Sequence, residues 1–209
     1  MVVGGFPCQG FSVANWARSL EDPRNLLYKE MVRVVANKQP RYFLGENVKG
    51  LASFGKGEVL KTIIRDFTNA GYSVRYQIVN AADYGVPQAR KRLLILGIRN
   101  DLFKDFTFPP NPTHGDPTTA QSMGILPWLS VGKALAHFPE PEDGKHIANH
   151  ECSKYKLRFN GHLGHRRIDP TKPAPTVTAR GDERGGVVVL HHPLNHRRMT
   201  ARELAAVQS

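Results

Sequence analysis

The chain has 209 residues, 40% of them hydrophobic, and its 29 lysines and arginines exceed its 18 aspartates and glutamates, giving a net charge of +11. No apolar stretch is long enough to span a bilayer and no signal peptide is evident, so we expect a cytoplasmic protein with no membrane partner. The two cysteines, Cys8 and Cys152, are too few for a disulfide framework, and the excess of positive charge suits a polyanion such as nucleic acid.

The chain opens with a predicted strand, Val2-Val3-Gly4-Gly5, which reads as the last part of a buried strand. Asp22-Pro23 then predicts a helix start, a cap followed by proline at the first helical position. The apolar stripe of this helix consists of Leu26, Leu27, Met31, Val34 and Val35. Pro40 would end the helix, and Tyr42-Phe43-Leu44 follows as a short apolar strand.

A second amphipathic helix is predicted by the apolar spacing of Val59, Leu60, Ile63, Ile64 and Phe67. Gly71 would end it. Val74, Tyr76 and Ile78 then alternate with polar residues as in a half-buried strand, and the apolar run 93–98 is typical of a central strand. This order of elements predicts an α/β fold, a parallel sheet with helices packed on it. The last two strands are joined by a short link, so we expect them to be antiparallel.

The second half of the chain has a different composition. Eleven of the 15 prolines lie at or beyond Pro109, and all nine histidines lie between His114 and His196. Such a segment favours loops with short elements of regular structure. We therefore place a boundary near Phe108-Pro109-Pro110 and predict a small irregular region after it.

Two places in the predicted sheet attract attention because ligands bind beyond the carboxyl ends of parallel strands. One is Phe6-Pro7-Cys8-Gln9, after the first strand, and the other is Glu46-Asn47-Val48, after the second. A cysteine and a glutamate facing one pocket suit nucleophilic attack with acid assistance, provided that positive charge stabilises the thiolate. Arg90 and Arg92, which are two residues apart, are candidates for that charge.

These positions carry a family resemblance. The segment 5–12, Gly-Phe-Pro-Cys-Gln-Gly-Phe-Ser, resembles the Pro-Cys-Gln motif of the DNA cytosine-5 methyltransferases, and Glu46-Asn47-Val48 resembles their Glu-Asn-Val motif. Three further blocks follow in the family's order. They are the Gln-x-Arg-x-Arg segment at 83–92, Pro175-Thr176-Val177-Thr178-Ala179, and the block formed by His192-Pro193, Arg198 and residues 200–204.

The resemblance implies a role for each of these residues. Cys8 would attack C6 of a cytosine that has left the duplex, since its ring atoms cannot be attacked within the stack. Glu46 would hold N3 and the exocyclic amine, and the Phe6 carbonyl would also meet that amine. Carbon 5 would then accept the methyl group of S-adenosylmethionine. Arg92 is expected near the cytosine O2, and Arg90 near the thiolate or a phosphate.

The resemblance also assigns residues around this centre. Pro7 and Leu27 would line the cofactor. Gln9 and Ser12 would lie on the loop that closes over double-stranded DNA, and Thr176 would contact a phosphate. The fold implied is a partial Rossmann-like methyltransferase sheet in residues 1–108, a target-recognition region in 109–190, and in 191–209 the start of a segment that returns to the catalytic domain.

The family pattern is incomplete in this chain. The cofactor-binding strands that normally come before the Pro-Cys-Gln motif do not precede Met1, and the final block of the pattern would follow Ser209. We therefore expect the isolated chain to bind S-adenosylmethionine weakly or not at all and to be inactive. Val2-Val3-Gly4 would then be an apolar edge strand, which favours a homodimer.

Two rival functions stay open: a tRNA cytosine-5 methyltransferase, and a DNA-binding fragment without catalysis. The loop-rich segment favours a DNA enzyme, because sequence readout needs an element that enters a groove. Arg166, Arg167 and Arg180 are candidates to reach phosphates or guanine edges. The candidate metal ligands are His146, His150 and Cys152, and also His162 and His165. Their spacing matches no standard zinc pattern, so no metal site is predicted.

Overall fold

The computed structural model describes residues 1–7, 26–102, 107–143, 146–152, 168–177, 190–194 and 197–209. The chain forms two compact units. The first consists of Met1–Val79 and Lys91–Asn111, and the second of Asn80–Arg90 and Pro112–Ser209. The division of the chain by function into 1–108, 109–190 and 191–209 stays a prediction.

The first unit is a four-stranded sheet with helices. Its regular elements are β1 (Val2–Gly4), α1 (Tyr28–Lys38), β2 (Tyr42–Val48), α2 (Glu58–Asn69), β3 (Tyr72–Asn80) and β5 (Lys91–Arg99). The strand order is β1-β2-β5-β3. β1 pairs with β2 in parallel, whereas β2 pairs with β5 in antiparallel. The predicted α/β class is confirmed, with a central β5.

The second strand is longer than predicted. β2 runs from Tyr42 to Val48, so Glu46-Asn47-Val48 lies inside the strand rather than after it. β2 is longer because its pairing with the neighbouring strand β5 continues as far as Val48, which lies opposite Arg92. Hydrogen bonds from a partner strand thus extend β2 beyond its apolar residues.

The core of the first unit lies between this sheet and the two helices. The Phe43 ring stacks on Phe67 at 4.2 Å between centroids and meets Tyr72 edge-on at 5.3 Å. Opposite Phe43 in the ladder is Gly97, where a Cβ atom would lie only 1.9 Å from the Phe43 ring. The predicted amphipathic helix is confirmed as α2, which buries Leu60, Ile63 and Phe67.

Two local predictions in the first unit need correction. The predicted stripe included Leu26 and Leu27, but both are exposed, and α1 begins after them at the buried Tyr28. The predicted start at Asp22-Pro23 lies outside the described residues. In β3, Tyr76 and Ile78 are exposed rather than turned inward, because this strand lies at one end of the strand order and its first residue, Tyr72, supplies the buried ring.

The second unit contains shorter elements. They are β4 (Gln88–Ala89), β6 (His114–Gly115), α3 (Pro117–Met123), β7 (Leu126–Pro127), α4 (Val131–Leu135), β8 (Ala174–Pro175) and α5 (Ala201–Ala206). β4 pairs with β8, and β6 pairs with β7, both in parallel. One apolar cluster unites Val131, Leu135, Ile168, Ala174, Leu190, Met199 and Val207. Residues far apart in sequence thus share one small core.

Candidate catalytic edge of the sheet

The ends of β1 and β2 lie side by side in the first unit. Their parallel register pairs Gly4 with Gly45, so the segment after Gly4 runs beside the last residues of β2. The Asn47 side-chain amide donates a hydrogen bond to the Phe6 carbonyl oxygen at 3.2 Å. The structure therefore brings together two of the sequence motifs, although 41 residues separate this pair.

Glu46 is the acidic side chain at this edge. Its Oε1 atom lies 2.8 Å from Nε of Arg92, which belongs to the neighbouring strand β5. The other oxygen, Oε2, lies over Gly5, where a Cβ atom would be 3.5 Å away. The Glu46 side chain stays 44% exposed and that of Arg92 21% exposed, so a ligand can reach the carboxylate. The arrangement is a charged pair open to solvent.

Asn47 is the buried polar side chain at this edge, and the sequence analysis gave it no role. It shares the inward face of β2 with Phe43 and Gly45 and is 2% exposed. Besides its bond to Phe6, its Oδ1 atom accepts a hydrogen bond from the Val48 amide at 2.9 Å. A buried amide needs such partners. The sequence contains a signal for this role, because Asn47 is a polar residue at a strand position whose side chain points into the core.

A tyrosine supports Phe6 from the other side. The Phe6 and Tyr28 rings lie 6.3 Å apart at a tilt of 59°. The Tyr28 hydroxyl donates to the Asp66 carboxylate at 2.8 Å, which ties α1 to α2. Burial and, after it, the hydrogen bond with Asp66 together raise the pKa of Tyr28 to about 12. The Phe6 backbone is therefore held both by Asn47 and by this ring contact.

The two predicted cofactor residues adjoin this contact. Pro7 follows Phe6 and Leu27 precedes Tyr28, and both side chains are exposed. They offer apolar surface to a ligand beside the contact between Phe6 and Tyr28. Their proposed role in cofactor binding stays a prediction.

Two predicted residues lie in the second unit. Arg90 precedes β5, and its backbone carbonyl accepts a hydrogen bond from the Ala81 amide at 3.0 Å. The Thr176 hydroxyl donates to the Ala89 carbonyl at 2.9 Å. A phosphate oxygen only accepts hydrogen bonds, so the predicted phosphate contact requires this hydroxyl to turn away from Ala89. The roles of Arg90 and Thr176 stay predictions.

Several predicted residues lie outside the described part of the chain: Cys8, Gln9, Ser12, His162, His165, Arg166, Arg167 and Arg180. Among the residues that the structure describes, no group of three or more histidine, cysteine and acidic side chains could hold a metal ion. Both ring nitrogens of His150 are within hydrogen-bond distance of protein oxygens, Thr200 Oγ1 at 2.9 Å and the Pro139 carbonyl at 2.7 Å. His150 is therefore a structural residue.

The block around residues 197–204 forms a partly buried ionic network that the sequence analysis missed. Arg197 contacts the carboxylates of Glu140 and Glu203 at 2.9 and 2.8 Å. Thr200 and Glu203 also form a capping box at the start of α5. Burial opposes the charge of Glu203, but hydrogen bonds from Arg197 and the Thr200 amide hold its pKa below the usual value. This motif therefore has a structural function here.

The folded chain resembles solved methyltransferases with a Rossmann-like fold. A protein assigned as a DNA modification methyltransferase, encoded within a prophage (E. coli), superposes with a TM-score of 0.68 at 22% identity, covering 99% of this chain and 67% of that one. The Dnmt2 methyltransferase of S. pombe gives a TM-score of 0.56 at 18% identity, covering 98% and 63%. At these identities the likeness shows the fold alone.

The sequence comparison identifies the family. Residues 1–209 match the family described as C-5 cytosine-specific DNA methylase, and the chain belongs to it. The Type II methyltransferase M.BsuRI of Bacillus subtilis is 35% identical over 100% of this chain and 48% of its own length. M.NgoFVII of Neisseria gonorrhoeae, also a Type II methyltransferase, is 35% identical over 100% and 60%. The chain thus spans about half the length of the curated relatives it matches.

Proposed function

We propose that this chain carries the nucleophile and the base-binding carboxylate of an enzyme that methylates C5 of cytosine in double-stranded DNA. The observation that carries the proposal is the position of Glu46, which pairs with Arg92 and lies over Gly5. Its neighbour Asn47 binds the carbonyl of Phe6, two residues before Cys8. Membership of the C-5 cytosine-specific DNA methylase family supports it.

The chemistry proposed for Cys8 is covalent. The thiolate sulfur bonds to C6 of the cytosine, and the electron pair of the C5–C6 double bond moves through the ring towards N3. C5 then bonds to the transferred methyl carbon while the bond from that carbon to the donor sulfonium breaks. Loss of the C5 proton to water or hydroxide, and cleavage of the sulfur–C6 bond, restore the ring and the thiolate. The base must first leave the stack.

Glu46 would hold the cytosine during this sequence. Its exposed carboxylate would meet N3 and the exocyclic amine, and Arg92, which binds Oε1, would lie near the O2 of the base. The Phe6 carbonyl has two lone pairs, and the bond from Asn47 uses one of them. Its second lone pair would accept a hydrogen bond from the exocyclic amine. Arg90 would provide positive charge for the thiolate or a phosphate.

S-adenosylmethionine would supply the methyl group as an electrophile when it is bound. Pro7 and Leu27 fit its apolar parts, because both side chains are exposed and their neighbours Phe6 and Tyr28 touch. The residues of this chain that we assign to the cofactor are these two. We keep the prediction that the 209-residue chain alone binds the cofactor weakly and is not competent for turnover.

Double-stranded DNA is the proposed partner. Gln9 and Ser12 would act on the loop beside the flipped base, and Arg167 and Thr176 would contact the backbone or base edges. The relatives M.BsuRI and M.NgoFVII are named Type II methyltransferases, which favours DNA over tRNA. The Dnmt2 likeness, at 18% identity, gives no argument for a tRNA substrate.

Other predictions about the whole protein stay untested. Among the described residues no helix is long and apolar enough to cross a membrane, and a cytoplasmic location stays a prediction. In the sheet as described, Val3 at the edge strand β1 is 66% exposed. Homodimer formation through this edge stays a prediction that light scattering can test.

The proposed function is tested on Cys8 in the full-length protein that contains this chain. Cys8→Ser should abolish methyl transfer to DNA and covalent trapping on a cytosine analogue that cannot eliminate, while DNA affinity stays within about twofold. Cys152→Ser is the matched control, because Cys152 is the other cysteine, and this variant should keep full turnover. Turnover by Cys8→Ser would remove Cys8 as the nucleophile, and a wild-type protein without methylation would contradict the proposal as a whole.

A further inference from the structure

The segment Thr113–Trp128 is compact and held to the loop 80–90. Its strands β6 and β7 flank α3, whose first turn is capped by Asp116. The Asp116 carboxylate accepts hydrogen bonds from the amides of Thr118 and Thr119 at 3.0 and 3.1 Å. The Trp128 amide donates to the Gly115 carbonyl at 2.8 Å, which closes the segment. We name residues 113–128 the brace.

Asp83 is the point at which the brace meets the loop. Its side-chain Oδ1 accepts a hydrogen bond from the Trp128 indole Nε1 at 2.9 Å. Its backbone carbonyl accepts a second bond from the Thr113 amide at 3.0 Å. The first and last residues of the brace therefore both bind Asp83, one through its backbone and one through its side chain.

A second contact lies two residues further on. Gly85 has a φ of +87°, in the left-handed region, and the His114 ring lies directly against it. A Cβ atom on Gly85 would be 2.9 Å from Cε1 of His114. A glycine is needed here for both its backbone conformation and the close approach of the ring. The brace thus packs on the turn formed by residues 81–85.

That turn is tied to the backbone of Arg90. The Ala81 amide donates to the Arg90 carbonyl at 3.0 Å, and the Val86 amide donates to the Ala81 carbonyl at 3.3 Å. The Arg90 amide in turn donates to the Gln88 carbonyl at 3.0 Å. A hydrogen-bonded path therefore runs from Trp128 through Asp83 and its turn to the backbone of Arg90.

The composition of the brace argues against DNA contact. It contains no lysine or arginine, and its charged residue is an aspartate. Binding to DNA depends largely on the neutralisation of phosphates by basic side chains. The Trp128 indole and the Asp116 carboxylate are also already hydrogen-bonded within the unit. The brace lies inside the segment 109–190 that the sequence assigned to target recognition, but its chemistry does not suit that role.

We infer that the brace positions the loop 80–90, and with it the Arg90 backbone, and that Trp128 is a positioning residue for methyl transfer rather than a reader of DNA sequence. The catalytic part of this inference rests on the proposed function. The structural part, that the Trp128–Asp83 bond orders the loop, does not depend on it.

The structural part is tested by amide hydrogen exchange on the full-length protein. Trp128→Phe keeps an aromatic ring and removes the indole donor, and Asp83→Leu removes the acceptor. Exchange at the Ala81, Val86 and Arg90 amides should become about tenfold faster in each, as expected for the loss of one hydrogen bond of about 1.4 kcal/mol. Asp83→Asn retains an acceptor oxygen and should keep the slow exchange.

The controls separate a local effect from general destabilisation. Met123→Ala alters an exposed side chain of the brace and should leave loop exchange unchanged. The Leu204 amide, which bonds to the Thr200 carbonyl elsewhere in the same unit, should keep its exchange rate in all variants. Equal acceleration at Leu204 and in the loop, or no acceleration in the loop, would overturn the inference.

The catalytic part is tested by steady-state kinetics. Trp128→Phe should lower kcat about tenfold while KM for DNA and the recognised sequence stay the same. A changed sequence preference with an intact kcat would show that Trp128 reads DNA and would overturn the positioning role. If the parent protein does not methylate DNA but Trp128→Phe still accelerates loop exchange, the proposed function fails and the structural part of the inference stands.

Discussion

Asn47 is the residue of the candidate site whose side-chain removal has the most direct consequence for the local structure. Asn47→Ala removes the hydrogen bond to the Phe6 carbonyl, at 3.2 Å, and the bond from the Val48 amide, at 2.9 Å. Asn47 and Phe6 are both buried, so the Phe6 carbonyl loses a partner in a place that water reaches poorly. Leaving a buried group without a partner costs about 1–3 kcal/mol, and we expect the free energy of unfolding to fall by that amount.

The same change should affect methyl transfer more than stability. The Phe6 carbonyl comes two residues before Cys8, and a displacement of a reacting group by about 1 Å can lower the rate about 100-fold. We therefore expect single-turnover methylation by full-length Asn47→Ala to be about 100-fold slower, with DNA affinity retained. Urea unfolding followed by circular dichroism measures the stability, and transfer of a labelled methyl group measures the rate.

Asn69→Ala is the matched control, because Asn69 is exposed at the end of α2. It should change the free energy of unfolding by no more than about 0.5 kcal/mol and leave the methylation rate unchanged. The reasoning would be refuted if Asn47→Ala matched this control in both measurements. A large loss of stability with an unchanged rate in the folded fraction would refute the positioning role alone.

Three further predictions concern DNA, pH and the cofactor. If the segment 110–190 binds DNA through its basic residues, a plot of log affinity against log salt concentration should have a slope of roughly −4 or steeper, because each phosphate contact contributes about −0.9. An affinity that does not change with salt would count against DNA as the partner. The pKa of Glu203 is lowered in the folded state, so its contribution to stability is present above its ordinary value and is lost as the pH falls through the lowered pKa. Arg197 and His192 face this carboxylate, and Glu140 binds the same arginine. Glu203→Gln should flatten the acid limb of the unfolding profile, whereas an unchanged limb would contradict this assignment. Calorimetry of the 209-residue chain should detect no micromolar binding of S-adenosylmethionine. A micromolar affinity corresponds to a binding free energy of about −8 kcal/mol, and its detection would show that the cofactor site is more complete than we infer.

The sequence by itself determined the class of fold and the family. The spacing of apolar residues in α2 and the continuous apolar run in β5 indicate which side chains are buried, and each pattern lies within a short segment of sequence. The motifs around Cys8, Glu46 and Arg92 identified the family because each is a short segment of fixed chemistry, and the comparison confirmed it. The sequence could also place Phe6 and Glu46 at one edge, because parallel strands present their carboxyl ends together.

Only the tertiary structure decided which side chains hold these residues. The Asn47 bond to Phe6 spans 41 residues, and the Trp128 bond to Asp83 spans 45. Glycine at 97 is required because the register places the Phe43 ring opposite it. β2 extends to Val48 because β5 pairs with it to that point. Each of these facts depends on strand register and on the packing of distant segments, which local periodicity does not encode.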